Sequence, residues 1–397
     1  MTAPRKFSEW VASYRNGYGK RPAPGEHGPI VLRIADVSGG VIDLSNPRRG
    51  AVREAEAETY RLQHGDLVFV RVNGAREIVG RCCVVGTDVP ADTIFNDHLI
   101  RVRLVPGVDP DFARLCVSIP SARAIIEEAA STSAGQLSIS QQVLDSIDVP
   151  DVPFEKQSEF ATRLNSQLAE VGAAQQAALS QADDITLLRR RVLAEVFAAV
   201  DAAPLRRLGD HAPTTSGSTP PRGVKAYWTP AEVPWVKTGE VAFSPIAQTE
   251  EAISAKALKE CSLTLLPPET VLVAMYGQGK TRGQSAVLKV PATTNQACFA
   301  ILPNDTWDSA FLFHWLMASY HDLRELSEGR GGNQANLNGG LLNALEVPAP
   351  CREQQVTIAR RAQDALREVD ALAAANNAQR EELDRLPRRL LAQAFEN

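Results

Sequence analysis

The chain has 397 residues, 44% hydrophobic and 22% charged, with a formal net charge of −5. That length and balance allow two or three domains with sizeable cores and argue against a disordered or fibrous chain. Six cysteines without metal-type spacing argue against a disulfide framework or a zinc site, and no apolar run approaches the ~18 residues a membrane helix needs. The N-terminal MTAPRKFSEW lacks the apolar stretch of a signal peptide, so a cytoplasmic protein with no membrane partner is expected. An acidic chain that bound nucleic acid would have to keep its positive charge local.

Residues 1–150 carry strand-like runs at 30–34, 67–72, 82–85 and 99–102, then helical stretches at 111–117 and 121–130. Residues 151–200 read as one long helix. Leu164, Leu168, Val171, Gln175, Ala178, Ala182 and Ile185 recur at alternating steps of four and three, which is a coiled-coil seam. Residues 201–348 repeat the order of the first domain and end in helical stretches at 306–320 and 321–327. Residues 349–397 repeat the helix, with Ala362, Leu366, Val369, Ala373, Asn376, Arg380 and Leu383 along its seam.

The repetition is visible residue by residue. Shifted by 198 positions, Glu155 falls on Glu353, Gln157 on Gln355, Leu168 on Leu366, Val171 on Val369 and Phe197 on Phe395. Upstream, Ile147-Asp-Val-Pro150 falls on Leu345-Glu-Val-Pro348. Loops move the register to 204 and back, so that Leu32-Arg33 matches Val236-Lys237 and Asn73-Gly74 matches Tyr276-Gly277. Tyr18-Gly19-x-x-Pro22 matches Ser216-Gly217-x-x-Pro220, whereas residues 1–16 form a weakly matched lead-in. Each helix alone buries little apolar area, so duplication favours an antiparallel pairing of the two. Pro387 is expected to break or kink the second helix near Leu386, leaving a rod of roughly 50 Å at about 1.5 Å per residue.

Chemistry of an enzyme is hard to find. Residues 274–281, AMYGQGKT, satisfy a relaxed phosphate-loop pattern. A phosphate loop must lead into a helix whose N-terminus faces the phosphates, but RGQSAVLKV reads as a strand. The matching VRVNGAR of the first copy also lacks the lysine and threonine. The segment is therefore read as a hairpin tip. A nucleotide-binding enzyme acting through Lys280 stands as the alternative, beside a structural coiled-coil scaffold. No catalytic constellation, glycine-rich S-adenosylmethionine loop or amino-methyltransferase motif is found, and the six histidines are scattered.

Binding chemistry is easier to place. One hairpin carries Arg71, Asn73, Arg76 and Arg81; its counterpart carries Tyr276, Gln278, Lys280 and Arg282. Polar loops before the last short helix of each domain add Gln136 and Arg330, Asn333 and Gln334. Such side chains contact phosphates or make paired hydrogen bonds to base edges. Tyr18 and Ser216, matched by the repeat, complete this candidate DNA-contact set.

Four phrases now carry a family resemblance: YRLQHGDLVFVRVNG (60–74), VPWVKTGE (233–240), TNQAC (294–298), and NQANL (333–337) leading to VPAPCREQ (347–354). In this order, before long helices, the chain resembles the specificity (S, HsdS) subunit of Type I restriction-modification systems over essentially its whole length. The resemblance implies an α+β fold with two similar mixed α/β target-recognition domains, 1–150 and 201–348, related by pseudo-twofold symmetry. Two spacer helices, 151–200 and 349–397, would join them as an antiparallel coiled coil. It also implies a non-catalytic subunit whose domains each read half of a split double-stranded DNA site. Two methyltransferase (modification) subunits and the restriction subunits would be its partners, with Arg190, Arg191, Phe197, Arg388, Arg389 and Phe395 as candidate docking residues. No cofactor of its own is expected; S-adenosylmethionine, ATP and Mg would belong to the partners.

Overall fold

The computed structural model describes residues 5–21, 23, 28–38, 40–133, 136–277, 279–326 and 336–396. It divides into two compact units, Met1–Leu179 with Ala378–Asn397, and Ser180–Asn377. Each unit therefore contains a mixed α/β domain and a length of both long helices.

In the first unit an antiparallel sheet runs in the order Val11–Asn16, Leu99–Leu104, Leu67–Val70, Cys82–Val84. The apolar run Leu67-Val-Phe-Val70 is explained by burial on both faces. Leu67 and Phe69 point into a core with Phe7, Trp10 and Phe112, while Val68 and Val70 point into a second core with Leu32 and Phe95. The second unit repeats this with Val271 and Val273 on one side and Leu272 and Ala274 on the other. Its sheet has five strands, Thr214–Ser216, Cys298–Ile301, Val271–Ala274, Ser285–Leu288 and Pro245–Ile246.

Backbone pairing corrects three sequence expectations. From residue 5 on, the weakly matched lead-in has a counterpart in the second copy: Arg5–Lys6 pairs with Asp148–Val149 as Leu205–Arg207 pairs with Glu346–Pro348. The Phe7 amide donates to the Ile147 carbonyl as Leu208 does to Leu345, and Phe7 and Trp10 are buried. Main-chain bonds and apolar bulk make this match, and both tolerate different side chains, so residue identity does not reveal it. Tyr18, likewise, is matched two positions too early. Its amide donates to Phe95 and that of Ser218 to Thr294, so Ser218 is its counterpart, not Ser216. The glycine that close backbone approach requires is Gly17, paired with Gly217; an added Cβ would lie 1.9 Å from the Asn96 oxygen and 1.8 Å from the Thr294 oxygen. The hairpins shift in the same way, because Arg71 donates to His98 as Met275 does to Ala297.

A buried glutamine fixes the start of each long helix. Asp109 and Asp308 cap the helices Pro110–Ser118 and Ser309–Ala318. Their own amides donate to Oε1 of Gln157 (3.0 Å) and Gln355 (2.7 Å), whose Nε2 atoms donate back to main-chain carbonyls. Replacing Gln355 by leucine leaves the Asp308 amide unsatisfied in the interior. We expect a loss of about 1–3 kcal/mol, read from the urea midpoint.

The long helices are Phe154–Ala198 and Arg352–Glu396, 45 residues each, or ~67 Å at about 1.5 Å per residue. All seam positions of both copies are buried or half-buried. Within the first unit Phe395 packs on Phe160 (5.1 Å) and Phe112 (5.9 Å). Within the second, Asn376 Nδ2 donates to Gln181 Oε1 (3.1 Å) and Arg189 pairs with Asp370. Partner numbers fall along one helix as they rise along the other, so the pairing is antiparallel.

The expected break at Pro387 does not occur; the proline lies inside a continuous helix. A proline withholds the amide that would bond the carbonyl four residues back. That carbonyl, on Leu383, instead accepts from Gln175 Nε2 at 3.2 Å, and the same nitrogen reaches Asp384 at 3.0 Å. A polar seam residue thus replaces the missing bond. In a double-mutant cycle, Gln175→Ala should cost about 1 kcal/mol against Pro387 and clearly less against Pro387→Ala, where the helix supplies its own donor.

Candidate nucleic-acid interface

In the first unit, the strand Leu67–Val70 leaves the sheet at Arg71, whose carbonyl accepts from the Ile139 amide at 3.1 Å. Val72–Asn73 then pairs with Gln136–Ser138, which pairs with Ser131–Ser133. The hairpin and the polar loop, separate in sequence, thus meet in one small sheet. Arg71 Nη1 donates to the Asp97 carbonyl (3.1 Å), Arg76 Nη1 to Glu127 (2.9 Å) and Arg81 Nε to Glu77 (3.2 Å). Asn73 Oδ1 accepts from the Ala75 amide, and Gln136 is exposed. These bonds hold the arginines in place; Arg76 and Arg81 stay exposed and Arg71 half-buried.

The second unit repeats the junction through the Leu337 amide and the Met275 carbonyl. Gln278, Arg330, Asn333 and Gln334 lie outside the described residues. Tyr276 and Lys280 are exposed, and the Lys280 carbonyl accepts from the Tyr320 hydroxyl. Arg282 is buried, so its guanidinium does not face solvent as the hairpin reading expects. The phosphate-loop-like segment lies between two antiparallel strands, Val271–Ala274 and Ser285–Leu288, so the chain continues into a strand where a phosphate loop would enter a helix. Ser216 is exposed at a strand end. Tyr18 turns inward, its hydroxyl donating to Glu56 (3.3 Å) and its ring meeting Tyr60 edge-on.

One large basic feature has no counterpart among the residues singled out from the sequence. A basin of about 1100 Å³ in the first unit is lined by Lys20, Arg21, Arg33, Arg48 and Arg49, with Asn96, Asp97 and His98. Lys20 pairs with Glu56 (2.9 Å), Arg33 with Asp36 (2.6 Å) and Arg49 with Asp92 (2.6 Å). The Lys20 hydrogen bond holds the Glu56 carboxyl below its ordinary range. Asp97, on the basin wall, is also the residue that Arg71 bonds, so basin and hairpin base are contiguous. Gly19-Lys-Arg21 and Pro47-Arg-Arg-Gly50 are the available signals, but loops have no period to flag them. At the matching place in the second unit, the Arg222 guanidinium lies 3.9 Å over the Trp228 ring and pairs with Glu251. Lys237 pairs with Glu250 (2.6 Å) and Glu251 (3.2 Å).

On the helices, Arg190, Arg191, Arg388 and Arg389 are exposed. The rings of Phe197 and Phe395, expected to face a partner, instead pack into the chain itself, Phe197 against Phe311 at 5.6 Å. Burial pushes the Cys83 and Cys298 thiols up to about 12 and those of Cys82 and Cys116 well above the ordinary thiol range, leaving them neutral and poor nucleophiles. Among the described residues no group of three or more His, Cys, Asp or Glu side chains is placed to hold a metal ion, and no helix is long and apolar enough to cross a membrane.

Residues 204–384 match the family model of the Type I restriction modification DNA specificity domain. That match takes in the second α/β domain and most of the helix that follows it. It is similar to the EcoKI specificity subunit of Escherichia coli K12, 29% identical over 191 residues, 48% of this chain and 41% of that protein. It is also similar to the MjaIX specificity subunit of Methanocaldococcus jannaschii, 32% identical over 162 residues, 39% of this chain and 36% of that protein. The matches thus span about two-fifths of the length of these curated relatives. The fold extends further. The HsdS subunit from Thermoanaerobacter tengcongensis superposes with a TM-score of 0.58 at 18% identity, over 99% of this chain and 96% of that one. A chain from a structure describing assembly and conformational transition of the type I R-M system gives 0.78 at 17% identity, over 98% and 96%. The specificity-subunit fold, two mixed domains with a long helix after each, is the fold of this chain.

Proposed function

We propose that this chain is the DNA-specificity subunit of a Type I restriction-modification complex. Each unit reads one half of a bipartite site in double-stranded DNA, and the paired helices set the gap between the halves. The chain performs no catalysis and holds no cofactor. Two modification subunits docked on it methylate adenine from S-adenosylmethionine, and restriction subunits supply ATP- and Mg-dependent cleavage. The reading rests chiefly on the DNA-specificity domain at residues 204–384, within a chain whose first half repeats the same strand register and glutamine clasp.

Co-expression with the cognate modification subunit, followed by mapping of modified adenines, tests it. The expected result is one bipartite sequence with a fixed unspecified gap. Methylation with no sequence preference that depends on this chain would refute the reading.

A further inference from the structure

The two units present opposite charge arrangements at the same structural position. They can be superimposed through their main-chain bonds. Asn96 donates to Leu32 as Asn295 does to Val236, and the Arg33 amide donates to Asp36 as the Lys237 amide does to Glu240. Ile30 bridges Arg49, and the Val31 amide donates to the Arg48 carbonyl; the corresponding pairs are Pro234 with Ala252 and Trp235 with Glu251. Glu251 therefore stands where Arg48 stands, and alanine replaces Arg49. The match of Tyr18 to Ser218 places Pro220 and Pro221 where Lys20 and Arg21 stand.

The consequence is electrostatic. Among the described residues neither Arg21 nor Arg48 has a carboxylate within ion-pair distance, and both are exposed on the basin wall. Glu251, in contrast, neutralises Arg222 and Lys237, and Glu250 adds a second contact to Lys237. The Arg222 hydrogen bond draws the Glu251 carboxyl below its ordinary range, so the pair stays charged and closed on itself at neutral pH. Each free cation that reaches a phosphate releases condensed counterions, whereas a cation already paired must first give up its carboxylate and gains little.

We propose that the two units engage DNA unequally: the first is the salt-dependent anchor, holding backbone phosphates through Arg21 and Arg48, and the second meets its half with the cations at the matching position, Arg222 and Lys237, already neutralised. This deepens the DNA-specificity reading and rests on it. It assigns to Arg21 and Arg48 a role in affinity for any sequence, not in the choice of sequence.

The test uses the full chain assembled with its modification subunits, and a labelled duplex of scrambled sequence titrated across a range of salt. Removing both arginines (R21A/R48A) should lower the slope of log affinity against log salt by about 1.8, at ~0.9 per phosphate contact. R21K/R48K should keep the slope, showing that charge and not fold is at issue. Deleting the closed pair as a whole (R222Q/E251Q) should leave it unchanged, and Glu251→Arg, which adds one cation and frees Arg222, should raise it by about 1.8. An unchanged slope in R21A/R48A, or an equal fall in R222Q/E251Q, overturns the inference. A wild-type complex that methylates a bipartite site normally while R21A/R48A shows no salt effect sinks this inference alone. A wild-type complex with no preference for any duplex sinks the DNA reading with it.

Discussion

Exchanging residues 1–150 for those of another specificity subunit will replace one half of the methylated sequence and leave the other half and the gap as they were. The expectation follows from where the contacts lie. The pairing of Arg5–Lys6 with Asp148–Val149 and the 2.6 Å hydrogen bond from Tyr14 to Asp145 stay within the exchanged part. Across the cut run the amide of Asp109 to Gln157, and Phe112 against Phe160 and Phe395. A donor that keeps the capping aspartate and a large ring at those places will seat on the retained helix. One with alanine in place of Phe112 loses on the order of 3–5 kcal/mol and should fail to assemble, which thermal melting will separate from a change of specificity. Adenine mapping decides the outcome: a swap that alters both halves, or neither, contradicts one domain reading one half-site.

Lengthening both helices by one turn should widen the unspecified gap. Four residues inserted within 173–178 advance the helix by ~6 Å, and a matching insertion facing it, within 379–385, restores the pairing. At about 3.4 Å per base pair this adds one to two positions to the gap and changes neither half-sequence. The middle of the seam suits such an insertion, because Ala178 and Asn376 are small or polar and little apolar packing is displaced. Insertion into one helix alone is a different experiment. It slides Gln175 off the Leu383 carbonyl or Asn376 off Gln181, and leaves buried polar groups without their partners. That variant should lose a few kcal/mol and assemble poorly. A gap unchanged in the doubly lengthened protein would mean that the helices do not measure it.

Much of this is legible in the chain's residues alone. The seam of each long helix, the buried strands at 67–70 and 271–274, and the paired glutamines Gln157 and Gln355 all follow from periodicity and self-match. They are readable because each is repeated twice under the same local rule. Loop positions are not. Tyr18 reads as a surface contact and lies in the core, and Arg282 reads as a free cation and is buried. No local rule distinguishes an arginine at a hairpin tip that faces water from one folded under it.

By itself, then, the amino-acid order determined a duplicated α/β chain with two antiparallel helices, because hydrophobic spacing and repetition are local properties that survive divergence. Only the tertiary structure decided how Pro387 is accommodated, since the donor that replaces its amide comes from Gln175, far away in the chain. The basic basin was decided in the same way. Lys20, Arg21, Arg33, Arg48 and Arg49 come from three separate loops, and their summed charge exists only where folding brings those loops together.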